Sequence, residues 1–188
     1  MRSLLLALAV AVIAACGDAF PLLPPSIPNE ADTLSLYALH GTPITSPSAI
    51  VFGFSPTLVR TDRSTNFDFA FDIDTAGRAL LFPTGAIGLG RGSGTQVATA
   101  PFDSLVLAPA AGYDLDSALV VTPGSVVLLR SRPSTCNTQL VAVYAYYAKL
   151  LVLAVDTTSG ANGRRIDLQI LINQNCGYRR LDEGLPGG

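Results

Sequence analysis

The sequence predicts a single all-β domain, an antiparallel sandwich or flattened barrel of about eight to ten strands, and three observations carry that expectation. Short apolar stretches rich in Val, Ile, Phe and Tyr recur between about Thr33 and Leu181, separated by Gly, Pro, Ser and Asp at strand-like intervals. Two of these stretches alternate residue by residue between apolar and polar, and no long helical periodicity accompanies them. The 188 residues are 49% hydrophobic and 14% charged, enough apolar side chain for one core and too little charge for a disordered chain. With 12 basic against 14 acidic residues, the chain offers no field for tracking phosphates, so no nucleic-acid partner is expected. No repeat of fixed period points to a propeller or solenoid.

The leading residues read as a targeting segment. Arg2 precedes the apolar run LLLALAVAVIAA and then Cys16, the charged start, apolar middle and small-residue end of a secretory signal. A membrane-spanning helix needs about 20 apolar residues, which this run does not reach. Residues 1–15 are therefore expected to leave as a signal peptide. Ile13-Ala14-Ala15-Cys16 resembles the bacterial lipoprotein box, which implies lipid on Cys16 and a chain anchored to the membrane. Gly17, rather than aspartate, follows that cysteine, which by the same resemblance favours the outer over the inner membrane.

Residues 16–32 contain Pro21, Pro24, Pro25 and Pro28 and read as a semi-extended tether, with a reach of roughly 50 Å at about 3.1 Å per residue. The all-β domain is expected over 33–181, and 182–188 reads as a flexible tail. Within the domain, NFDFAFDID directs Phe67, Phe69, Phe71 and Ile73 to the core. Asn66, Asp68, Ala70, Asp72 and Asp74 go to a mostly wet face. RRIDLQILIN places Ile166, Leu168, Ile170 and Ile172 together in the same way. Further strands are expected at LSLYAL from Leu34, AIVFGF near Ile50, RALLF from Arg78, SLVLA from Ser104, SALVV from Ser117 and SVVLLR from Ser125. The run Leu140–Val155 is apolar on every face, and its Val and Tyr content predicts one or two central strands, broken near Tyr147 and Ala148 if two. The TSGANG segment then turns the chain into the Ile166 strand as an antiparallel hairpin.

Cys136 and Cys176 remain once Cys16 is assigned to lipid. Free thiols would be exposed to an oxidising compartment, so a single Cys136–Cys176 disulfide is expected.

Catalytic chemistry finds little support. His40 is the sole histidine, no GxSxG elbow occurs, and zinc would lack ligands, so no metal site is expected. The run Gly85–Gly94 lacks GxGxxG and P-loop spacing and reads as a flexible loop or a glycine-punctured edge strand. Asp72, Asp74, Asp114 and Asp116 read as strand-end and turn residues. A hydrolase pairing one from each couple is the enzymatic alternative.

FDFAFDI, APFDSLVLAPAAGYDLDS, GSVVLLRS, YAKLLVLAVD and IDLQILIN follow one another in an order that resembles the haem-binding envelope lipoproteins of the HmuY kind. The resemblance implies an all-β lipoprotein that uses a face or rim for a ligand. That family binds haem through paired histidines, and no histidine lies between Asn66 and Asn173, so no haem ligand carries over and no cofactor is expected. Tyr144, Tyr146 and Tyr147 are the residues through which a tyrosine-ligated haem, or another ligand, could be held. The expected function is a non-catalytic binding module of the bacterial envelope for a small apolar ligand or an envelope partner. The alternative is a structural or assembly lipoprotein acting through protein–protein contacts.

Overall fold

A computed structural model describes residues 22–137, 142–160 and 162–186. The signal segment and Cys16 lie outside the described residues. The fold is all-β, with two five-stranded antiparallel sheets and a separate two-stranded hairpin; the sheets do not close into a barrel, and the domain is a sandwich.

The first sheet runs in the order β1 (Ala31–Tyr37), β12 (Arg165–Asn173), β11 (Tyr147–Asp156), β8 (Val126–Arg130), β6 (Gly94–Val97). The second runs β3 (Thr57–Val59), β2 (Ala49–Val51), β4 (Phe69–Ile73), β5 (Ala79–Pro83), β7 (Leu119–Val121). The extra hairpin pairs β9 (Ser134–Asn137) with β10 (Ala142–Tyr144).

Alternation builds the main core. Ile166, Leu168, Ile170 and Ile172 of β12 meet Phe69, Phe71 and Ile73 of β4 with Leu81 of β5, all buried. Each such side chain is worth about 1.5–3 kcal/mol when fully removed from water. In β11 the pairing slips between Val152 and Ala154, and the bulge leaves Leu153 as the extra, exposed residue. The bulge shifts the face of the strand, so Val155 returns to the core that Leu150 and Val152 also enter.

The outward faces are not simply wet. Leu128 and Leu171 point away from the sandwich interior and are covered by Phe102, Ala108 and Leu181. On the second sheet Ala49, Phe67 and Ala70 form a small cluster under Leu39 and Phe82. Phe67 therefore joins Ala70 rather than Phe69 and Phe71, because the regular strand begins only at Phe69. Asp68, expected toward water, is buried.

Several expected boundaries shift for identifiable reasons. SLVLA is not a strand: a 3-10 turn at Phe102–Ser104 lays the segment across the first sheet, and only Leu107 bridges, to Arg180. Lys149, expected inside an apolar strand, holds this cover. It is 3% exposed and donates from Nζ to the carbonyls of Phe102 (2.9 Å) and Leu105 (3.0 Å). From Ala142 onward the described part of the Leu140–Val155 run forms two strands that part at Ala145 and Tyr146, beside the expected break near Tyr147 and Ala148. There Ser131 and Tyr146 exchange hydrogen bonds as the chain passes from the hairpin into the sheet.

Part of the expected tether, 16–32, falls within the described residues. Residues 22–32 lie along the domain: Asn29 is buried and bridges Gly184, and β1 already begins at Ala31. The same bridge fixes the expected tail, whose Asp182 pairs with Arg180.

Candidate functional site

Cys136 of β9 and Cys176, just beyond β12, form the expected disulfide, with Cα atoms 5.7 Å apart. The bridge joins the outlying hairpin to the end of the first sheet. Beside it opens a cleft of about 240 Å³. Both bridged cysteines, Tyr144 and Tyr146 form one side, and the leading strap at Leu22 and Leu23 forms another, with Phe54 from the loop after β2.

Asn175 builds the strap wall. Its Oδ1 accepts from the backbone N–H of Ser26 (2.8 Å) and Ile27 (3.0 Å), and its Nδ2 donates to the Ile27 carbonyl (2.7 Å). One buried amide thus substitutes for a strand partner along a segment whose prolines cannot enter a ladder. Among the described residues, no charged side chain lines the cleft.

The three tyrosines do not act together. Tyr144 and Tyr146 border the cleft, whereas Tyr147 points through the opposite face of the sheet to pack near Tyr113, with ring centroids 6.3 Å apart. Neighbours in an extended chain face opposite ways, and that separates Tyr146 from Tyr147. Burial pushes the Tyr146 phenol above its ordinary value.

Haem does not fit this cleft. The opening is smaller than the roughly 300–1,000 Å³ typical of drug-sized ligand sites. Among the described residues it contains no histidine and no cation to meet a propionate.

The remaining polar residues singled out in the sequence are committed elsewhere. His40 Nδ1 lies 2.6 Å from Asp72 Oδ2 at an exposed loop end, and Arg164 Nε donates to the His40 carbonyl at 2.8 Å. Arg164 adopts φ +51, and Gly41 leaves room for its guanidinium, so these groups lace three loops together. Asp74 is held below the usual carboxylate range, first by the backbone N–H of Arg78 and then by its side chain. Asp114 is lowered likewise, chiefly by the backbone N–H of Asp116, and Asp116 pairs with Arg91 at 2.6 Å. Asp72 and Asp74 border one recess and Asp114 another.

The glycine run turns its polar groups inward. Thr84 Oγ1 donates to the Gly90 carbonyl (2.6 Å) and accepts from the Gly92 and Ser93 N–H groups, and the edge strand β6 starts at Gly94. Those amides are therefore not free for an anion. Among the described residues no group of three or more His, Cys, Asp or Glu could hold a metal, and no helix is long and apolar enough to cross a membrane.

Sequence reasoning missed Leu22, Leu23, Phe54 and Asn175. Phe54 sat inside a stretch read as strand, and the strap sat inside the expected tether; only their apolar character was a signal. The architecture and cleft define a disulfide-braced β-sandwich with an uncharged apolar recess at one end. No family model matches the chain, and no curated protein matches it.

Proposed function

We propose that this chain is a non-catalytic binding module of the bacterial envelope, anchored through lipid on Cys16, outer membrane in preference to inner. In this reading it holds a small apolar ligand in the cleft beside Cys136–Cys176. The observation that carries the reading is the cleft itself: Leu22, Leu23, Phe54, Tyr144 and Tyr146 surround a recess braced by a covalent bridge, without a charged side chain among the described residues. Apolar walls with a few polar groups characterise small-molecule sites. Thermal-shift and NMR titration of the purified protein with small apolar molecules should raise the melting temperature and perturb the Ser26 and Asn175 amides. No shift with any of them would remove the ligand reading. Intact mass of the native protein tests the anchor: an unprocessed leading segment without added lipid would refute it.

The assembly reading draws on another feature. Val97 and Val120 are exposed beside a lateral opening of about 560 Å³ between the edge strands β6 and β7. Crosslinking in native membranes tests it, through a discrete adduct lost on Val97→Asp with Val120→Asp.

A further inference from the structure

Tyr146 is a buried polar residue at the border of the cleft. The residue is 7% exposed and borders the recess, its backbone N–H is taken by Ser131 Oγ, and its hydroxyl has no hydrogen-bond partner among the described residues. A buried tyrosine normally finds a partner for its O–H.

From these residues we infer that the occupant of the cleft is a neutral, carbonyl-bearing apolar molecule whose oxygen accepts a hydrogen bond from the Tyr146 hydroxyl. This rests on the reading of the cleft as a ligand site and names its ligand class. Neutrality follows from the described lining: with no Lys, Arg or His among the described residues there, an ionised carboxylate would lose its water without a counter-charge. The lack of Asp and Glu among the same described residues argues equally against a cationic head. A carbonyl oxygen is the acceptor that suits the phenol, whose O–H is a donor at neutral pH. Ketones, esters, lactones and quinones of small size fall in this class; free fatty acids do not.

Three probes of matched length separate the possibilities: methyl hexyl ketone, octane and octanoate, titrated into the protein by NMR with the Ser26 and Asn175 amides as local reporters. One hydrogen bond corresponds to a preference of about 2- to 10-fold for the ketone over the alkane. That preference should vanish in Tyr146→Phe, which keeps the ring, while octane binding persists. Equal affinity for ketone and octane, tighter binding of octanoate, or a ketone preference that survives Tyr146→Phe would each overturn the inference while leaving an apolar site. Failure of all three probes would remove both the inference and the reading beneath it. The wild-type comparison of ketone with octane stands even if the variant misfolds.

Discussion

Asp68 and Lys149 are two charges that the core tolerates for different reasons. The Asp68 carboxylate accepts from the backbone N–H of Phe52 (2.6 Å) and of Arg132 (2.8 Å), and from Arg132 Nε at 3.2 Å. It ties the second sheet to the segment leaving β8. Asp68→Ala strands these donors, and loss of one partner of a buried pair costs about 3–5 kcal/mol; urea denaturation should show a fall of that order, and a fall under about 1 kcal/mol would contradict this role. Lys149 is held below the ordinary lysine value of 10.5 by burial, partly offset by Asp103, Glu183 and Asp182. Between that lowered pKa and 10.5 the unfolded chain binds more protons than the folded one, so this group's contribution to stability grows as pH rises. The stability of the wild type relative to Lys149→Met should increase through that window, measured by urea denaturation at stepped pH. A flat difference would mean that the ammonium is not desolvated.

Among the elements, β4, β5, β8, β11 and β12 were legible because alternation or Val/Ile density marks a strand whose neighbours bury it. β3 and β9 were not: Thr57–Val59 and Ser134–Asn137 carry no apolar pattern and exist through pairing with β2 and β10. SLVLA misled because Lys149, 44 residues further along the chain but adjacent in space, claims the Leu105 carbonyl. The cleft was half legible: the cysteines and two of three tyrosines were named in advance, yet its strap wall depends on Asn175 reaching back 149 residues to Ser26. The glycine run yields a prediction at this scale. A Cβ on Gly85 would collide with the backbone carbonyl of Leu115, so Gly85→Ala must displace the turn between β5 and β6. The melting temperature should drop by several degrees, as for about 1–3 kcal/mol of overpacking in a domain this size. Gly88→Ala meets nothing within 4 Å but sits at φ +76, and its cost should be confined to the strained backbone, about 1 kcal/mol.

At the scale of the molecule, covalent and polar clasps secure what the two sheets do not. The Cys136–Cys176 bridge closes a loop spanning 40 positions, for which chain entropy gives about 4 kcal/mol. Cys136→Ser with Cys176→Ser should lower stability by up to that amount and speed amide exchange in β9 and β10 before it affects β12. Uniform loss of protection would show that the hairpin is part of the cooperative core. At the opposite end of the chain's path, Asn29 Nδ2 donates to the carbonyls of Arg180 and Asp182, so the leading strap and the trailing segment fasten to each other. Leu22 is itself a wall of the recess. A reporter protein or affinity handle spliced immediately upstream would tug on the very side chain that shapes the binding surface, so labels belong on the distant loop around Gly77, where nothing crowds the backbone.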